Sequence, residues 1–351
     1  MGIKGFFARK ILNQSDSYRY YKDQLEHLQK RLKKLEKNNQ KLKALDKESK
    51  KLNKRYKKYD EINETNRRLF NTLYLDHELQ RSVLLVKFHT FCLEFIQFIQ
   101  NVCSKHDIEW MIEGGTLLGA IRHGGFIPWD DDIDCGMMRE DYNHFLEVLP
   151  DEILKYELDD ILEITFKPRD AYYEGATSFM QLRCENIIGE PFNIMMIDFF
   201  PYDFLKEYNG EDIEEIYMEN KFKFFKDTID YDDIDVILER YYDRFNLTYE
   251  RTPYFIQGVE GTFSKCSAIR PKVYETDKML PFKKVKFEDI ELPAANDPNY
   301  YLRLIYKDYW QMPGILGFHR RMKRLRKKQH IYYILDEYTK RFKNINDNFE
   351  F

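Results

Sequence analysis

The sequence predicts an α+β body, a mixed sheet with flanking helices, preceded by a long N-terminal coiled-coil helix. Three observations lead there. Residues 20–77 contain neither Gly nor Pro and repeat apolar residues every three or four positions. Beyond Leu79, short β-prone segments alternate with longer segments of helical period. Gly-Gly pairs and prolines fall between those segments, where a chain must turn.

The arm comes first. Leu25, Leu28, Leu32 and Leu35 step by three and four, and after a slip near Leu42 the rhythm continues from Leu45 to Leu73. A three-residue slip of this kind is a stammer in a heptad seam. Asn39, Asn63 and Asn66 fall on the seam, where a polar residue fixes register or oligomeric state. A helix of ~50 residues would reach ~75 Å. The expected domains are therefore 1–19 as an N-terminal segment, 20–77 as the coiled coil and 78–351 as the body, with 205–250 as an acidic helical insertion.

In the body, the segment from Leu79 to His106 reads as a long apolar helix, and Ile108–Glu113 as a short strand. A Gly-Gly turn then leads into a short helix from Thr116 to Arg122. The segment "DIDCGMM" is a second strand, and "REDYNHFLEVLP" an amphipathic helix that Pro150 closes. Three strands are expected in "ILEITFKP", "ATSFMQLRC" and "FNIMMIDFF". "VKFEDIELP" reads as a hairpin, Asp297-Pro298 opens a helix, and the C-terminal end is basic and helical.

Composition narrows the class. The chain carries a net charge of −4. Lys22–Arg68 holds 17 Lys/Arg against 8 Asp/Glu, a net of +9, so a basic arm joins a body of net −13. Stacking aromatics are sparse in the arm before Tyr56, which argues against nucleic acid as its partner. A second copy or another protein along the seam is the expected partner. Five scattered cysteines without a Cys-x-x-Cys or Cys/His cluster indicate neither a disulfide framework nor structural zinc, and suit a reducing, cytoplasmic setting. No apolar run approaches the roughly 20 residues needed to span a bilayer. Ile3, Phe6, Phe7, Ile11 and Leu12, beside Lys4, Arg9 and Lys10, suit a peripheral contact with the inner face of the cytoplasmic membrane.

The chemistry concentrates in "PWDDDID", Pro128–Asp134. On a strand, Asp130, Asp132 and Asp134 share one face and Asp131 takes the other. At ~4 Å and an effective dielectric of 20, each like-charged pair costs on the order of 4 kcal/mol. A hard divalent cation relieves that repulsion best, Mg2+ above all, with Mn2+ as a substitute, and Mg2+ brings phosphate with it. Upstream, Gly114-Gly115-Thr116 at a helix N-terminus offers backbone N–H groups and the positive dipole end, a phosphate cradle. The two together suit phosphoryl or nucleotidyl transfer.

The run "EGGTLLGAIRHGGFIPWDDDID" resembles the LicD family of phosphocholine transferases, which includes the fukutin-related proteins. Two later segments are similar too, "IDFFPYD" (197–203) and "VKFEDIELPAANDPNYYLRLIYKDYW" (285–310), with Lys307 where the family has Gly. The resemblance covers roughly residues 79–319. It implies a nucleotidyltransferase-like core that moves a phospho-substituent, typically phosphocholine from CDP-choline, to a sugar hydroxyl of a surface glycan. Carried over by position, Asp132 and Asp134 match the metal-binding Asp-x-Asp, Asp130 the additional carboxylate, and Gly114, Gly115 and Thr116 the nucleotide-phosphate turn.

Asp198, at the end of an apolar run, is the candidate for a third ligand or for the base that takes the acceptor proton. Arg122 is a candidate for steadying the phosphates, or else pairs with Asp130 or Asp131. His123, His319 and Arg320 are further phosphate candidates. Tyr172, Tyr173, Phe200, Tyr202 and Trp310 could face a quaternary ammonium, and Trp129 sits beside the acid stretch. Two other readings stay open: a glycosyltransferase whose Asp-x-Asp holds a nucleotide-sugar, and a coiled-coil scaffold with a vestigial catalytic body.

Overall fold

The computed structural model describes residues 3–73, 81–166, 179–210, 234–258, 272–311 and 321–351. The chain divides into two compact units, one containing Met1–Leu75 and the other Asp76–Met312 and Leu316–Phe351.

The first unit is helix α1 (Ile3–Leu73), 71 residues without interruption. It is longer than the arm expected from the seam because nothing in residues 3–19 breaks a helix beyond Gly5. Leu25, Leu28, Leu32, Leu35, Leu42 and Leu45 are all at least 57% exposed. These leucines therefore belong to no core.

The second unit opens with α2 (Val83–Lys105), capped by Ser82, whose hydroxyl accepts from the Leu85 N–H. By length and hydropathy α2 meets the measure of a membrane span, contrary to the reading that no segment does. Its Phe88, Phe91, Phe95, Phe98 and Ile99 are fully buried in the body, so its apolar residues already have a protein partner. Then follow β1 (Met111–Ile112), α3 (Gly114–His123), β2 (Ile133–Met138) and α4 (Arg139–Lys155). Next come β3 (Leu162–Phe166), β4 (Met180–Asn186), β5 (Phe192–Leu205) and α5 (Ile234–Phe245). The remaining elements are β6 (Leu247–Thr248), β7 (Tyr254–Gln257), β8 (Val273–Glu275), α6 (Thr276–Met279), β9 (Lys283–Phe287) and β10 (Ile290–Ala294). Three helices close the chain: α7 (Pro298–Tyr306), α8 (Arg321–Leu325) and α9 (Ile331–Asp347).

The architecture is mixed α+β. One sheet runs β1-β2-β5-β4-β3, with β6 and β7 on the far end of β5 and β8 beside β7. Among the described residues β2 and β5 pair in parallel and the other ladders are antiparallel. The expected hairpin is present as β9–β10, and Asp297 caps α7 by accepting from the Tyr300 N–H. Helix α9 lies along α2, with Phe342 packed 5.0 Å from Phe95 and 5.9 Å from Phe91, centroid to centroid.

Three boundaries differ from the sequence expectation. Helix α4 continues through Pro150 to Lys155. The cost of a helix-interior proline is about 3 kcal/mol. It is offset by burial of Leu149 and Ile153 and by Glu152, which meets Lys105 Nζ at 2.7 Å and His106 Nε2 at 2.8 Å on the end of α2. Strand β2 begins only at Ile133, so Asp130 and Asp132 lie in the loop before it. Helix α3 begins at Gly114, so the glycine pair is its first turn, not a turn preceding it. Of the acidic segment expected at 205–250, residues 211–233 lie outside the described residues.

Candidate active site

The parallel pairing of β2 with β5 sets Asp134 opposite Asp198 in register, and the antiparallel pairing of β5 with β4 sets Asp198 opposite Gln181. Register partners project to the same face of a sheet, so two carboxylates and an amide form a row across three strands. Gln181 Nε2 donates to Asp198 Oδ1 at 2.7 Å and holds that carboxylate still. Ile194, Met195, Met196 and Ile197 make β5 an apolar central strand; the register turns its mid-strand acid, Asp198, toward Asp134.

Helix α3 closes over this row. Gly114 has φ +54°, a left-handed conformation that favours glycine, and a Cβ there would stand 2.7 Å from Asp134 Oδ2. A Cβ on Gly115 would stand 3.0 Å from Asp130 Oδ2. Asp134 N donates to Thr116 Oγ1 at 3.0 Å, and Glu113 N donates to Asp134 O at 3.0 Å. The glycine pair, the threonine and the acids thus meet at one place. The Gly114 N–H is already engaged, donating to Tyr301 Oη at 3.1 Å.

The loop carrying Asp130 and Asp132 is held from three sides. Buried His89 on α2 donates from Nε2 to Asp130 O (2.8 Å) and stacks on Phe126 at 4.2 Å. Burial pushes the His89 pKa down to about 4, so the ring is neutral and its Nδ1 accepts from Arg81 Nη1 at 3.1 Å. Glu288, at the β9–β10 turn, accepts from the Phe126 N–H (3.2 Å) and from Arg81 (3.0 Å), and its own N–H donates to Gly124 O (2.7 Å). From α8, Met322 N donates to Asp131 Oδ2 at 3.0 Å and Arg321 donates to Asp131 O. Asp131 therefore turns away from the other acids, as expected, but it does so because α8 claims it and not because of strand alternation.

The acids are electrostatically crowded. Burial pushes the Asp134 carboxyl well above the carboxylate range, and Asp132, Asp198, Glu113 and Asp130 push it further. Burial likewise raises Glu113 to about 8; the hydrogen bond from Tyr202 (2.6 Å) opposes the rise and Asp198 adds to it. A positive charge placed here would relieve all of them. Carboxylate oxygens of this number suit a hard divalent cation. Among the described residues no three ligating side chains form a ready cage.

Other expected residues are placed as follows. Arg122 donates from Nη1 to Tyr309 O (2.7 Å) and from Nε to His123 Nε2 (3.0 Å), not to Asp130 or Asp131. Burial lowers the His123 pKa to about 4, so it is a neutral acceptor and not a cationic phosphate ligand. Its ring meets Trp129 edge-on at 6.3 Å. Tyr202 is buried against Glu113 and so offers no face to an ammonium group; Phe200 packs on Phe179 at 4.3 Å, and Trp310 is 56% exposed. Tyr172, Tyr173, His319 and Arg320 lie outside the described residues.

Comparison with known proteins adds to this geometry. Residues 107–232 match the family described as LicD/FKTN/FKRP, nucleotidyltransferase domain. This segment is similar to the LicD family. A Haemophilus influenzae protein named lipopolysaccharide cholinephosphotransferase LicD is 49% identical over 57 residues, 16% of this chain and 22% of that protein. An uncharacterized Rickettsia prowazekii protein is 35% identical over 133 residues, 35% of this chain and 43% of that one. Human ribitol 5-phosphate transferase FKRP is 44% identical over 48 residues, 14% of this chain and 10% of its own length. Each match thus spans less than half of the relative.

The LicD segment holds Asp130, Asp132, Asp134 and Asp198, but several residues that complete the site lie outside it or were missed. Tyr306, at the end of α7, has its hydroxyl pKa raised by burial and then by Asp134, Asp130, Glu113 and Asp132, so it faces the acids. Tyr301, Glu288, Arg321 and Met322 also come from beyond residue 232. The sequence signal for Glu288 and the tyrosines was their place in the "VKFEDIELPAANDPNYYLRLIYKDYW" segment; Arg321 and Met322 gave none.

Proposed function

We propose that this protein transfers a phospho-substituent from a nucleotide-diphosphate donor to a sugar hydroxyl of a glycan, with phosphocholine from CDP-choline as the leading donor. The observation that carries this reading is the contact of the α3 glycines with Asp134 and Asp130 beside Asp198: a phosphate-binding helix start and a carboxylate row in one site. The cholinephosphotransferase and ribitol-phosphate transferase names of the relatives support the reaction class.

In this mechanism the N-terminal turn of α3 receives the diphosphate, with backbone N–H groups and the helix dipole toward the anion. A divalent cation, Mg2+ or Mn2+, held by Asp132 and Asp134 with Asp130 beside them would neutralise charge on the diphosphate. Asp198, fixed by Gln181, takes the proton of the attacking hydroxyl. The oxygen bonds to the donor phosphorus and CMP leaves with the electrons of the broken P–O bond. Arg122, in the last turn of α3, spends two of its five N–H donors on Tyr309 and His123 and is the candidate to steady the leaving phosphate. Glu113, Tyr202 and Tyr301 position the helix start.

The test is to incubate the protein with Mg2+, a glycan acceptor and, separately, CDP-choline, CDP-ribitol and UDP-sugars. Metal-dependent CMP release from a CDP donor supports the reading. Consumption of UDP-sugar alone would replace it with glycosyl transfer.

A further inference from the structure

The transferase reading leaves α1 unused. We propose that α1 pairs two copies of this chain as a parallel, in-register coiled coil. This inference does not depend on the reaction of the body.

The exposed apolar positions define the heptads. Leu25 and Leu32 take position a, and Leu28, Leu35 and Leu42 take d. After the three-residue slip, Leu45, Leu52 and Tyr59 again take d. These side chains stand 46–65% exposed along one seam, a face that only a second helix can cover.

Charge decides what that helix is. The arm is strongly basic, which at first argues against self-pairing. Yet of the twelve lysines between Lys30 and Lys58, only Lys43 falls at a position flanking the seam; the other eleven fall at b, c and f, on the outer side. The ion pair of Lys50 with Asp46 lies along the surface of one helix, as such outer charges do. In a parallel pair, g of one helix faces the following e of the other. That sets Arg31 against Glu36 of the partner copy, and Arg55 against Asp60 of the partner copy. No g–e pair between residues 24 and 67 joins two like charges. Within one helix, residues five apart do not face each other, so the two opposite-charge matches have no use in a single copy. Asn39 at a would meet Asn39 of the second copy, where the two amides bond each other and hold both register and two-strandedness.

The experiment uses the full chain in analytical ultracentrifugation. The parent protein sediments as a dimer at micromolar concentration and low salt. Arg55→Glu and Asp60→Arg, each alone, put two like-charged pairs in the dimer and weaken it about tenfold. An equimolar mixture of the two variants restores dimerisation to within about twofold of the parent, because in the mixed dimer both g–e pairs again join opposite charges. Asn39→Cys forms an intermolecular disulfide under mild oxidation at a rate the parent does not show. A monomeric parent, a mixture no tighter than its components, or cross-linking no faster than the parent's would each overturn the proposal.

Discussion

Helix α1 and the body around α2 rest on opposite sources of stability. Both begin with a long helix. Along α1 the leucines from Leu25 to Leu52 stand exposed, and the helix is continuous because its residues favour helix and no proline interrupts it. Along α2 the phenylalanines are fully buried, and the helix is one wall of a core that also contains α9. Burial fixes position as well as stability: His89, on α2, fastens the acid loop, whereas Leu25, Leu28, Leu32 and Leu35 of the arm stand exposed. A seam is therefore free to choose a partner, and a core is free to place a proton or a phosphate.

That contrast predicts a separation of effects. The largest is expected at Asp134→Ala, which should lower phospho-transfer by at least about 1000-fold, ~4 kcal/mol of barrier, while the melting temperature and sedimenting mass stay those of the parent. Near-parental turnover with saturating Mg2+ would remove the acid row from the mechanism. Next is Asp131→Ala, which strips Met322 N of its carboxylate partner while the bond from Arg321 to the Asp131 carbonyl remains. It should cost about 1–3 kcal/mol of stability in denaturant, and it should cut turnover more than tenfold by loosening the loop that bears Asp130 and Asp132. Stability lost with turnover unchanged would mean that α8 supports the fold and not the site.

A smaller effect belongs to Glu152. Burial raises its pKa, but hydrogen bonds from Lys105 and His106 outweigh that and hold it below the usual value. A depressed carboxylate stabilises the fold above its unfolded pKa of about 4.3, and that contribution disappears as pH falls through the lower folded value. Glu152→Gln should therefore be about 1 kcal/mol less stable than the parent at pH 7, with the gap closing below pH ~4. A gap independent of pH would make the contact one of shape alone. The smallest effect is at Leu28→Asp, which should leave turnover per chain within about twofold while weakening self-association. A large fall in turnover would mean that the arm and the body are not separate in function.

Much of this was open to reading from residue order. The 3–4 rhythm and the lack of breakers located α1; Gly-Gly-Thr and the aspartate run marked residues that the fold brings together. Asp198 was visible as a charge ending an apolar run. The boundary errors have local causes. Pro150 reads as a stop, yet Glu152 and Ile153 find partners on α2 and in the core that keep the helix going. Asp130 and Asp132 read as strand residues, yet the ladder with β5 begins only at Ile133.

The sequence by itself determined the kinds of element and the chemical inventory, because period, turn residues and carboxylate spacing are properties of neighbouring residues. Only the tertiary structure decided which distant groups share a site. The parallel register that sets Asp134 against Asp198, the α8 contacts that pull Asp131 away, the glutamate of a hairpin turn and the tyrosines of α7 all come from segments many residues apart. Their meeting depends on how a buried core packs, and no local pattern records that.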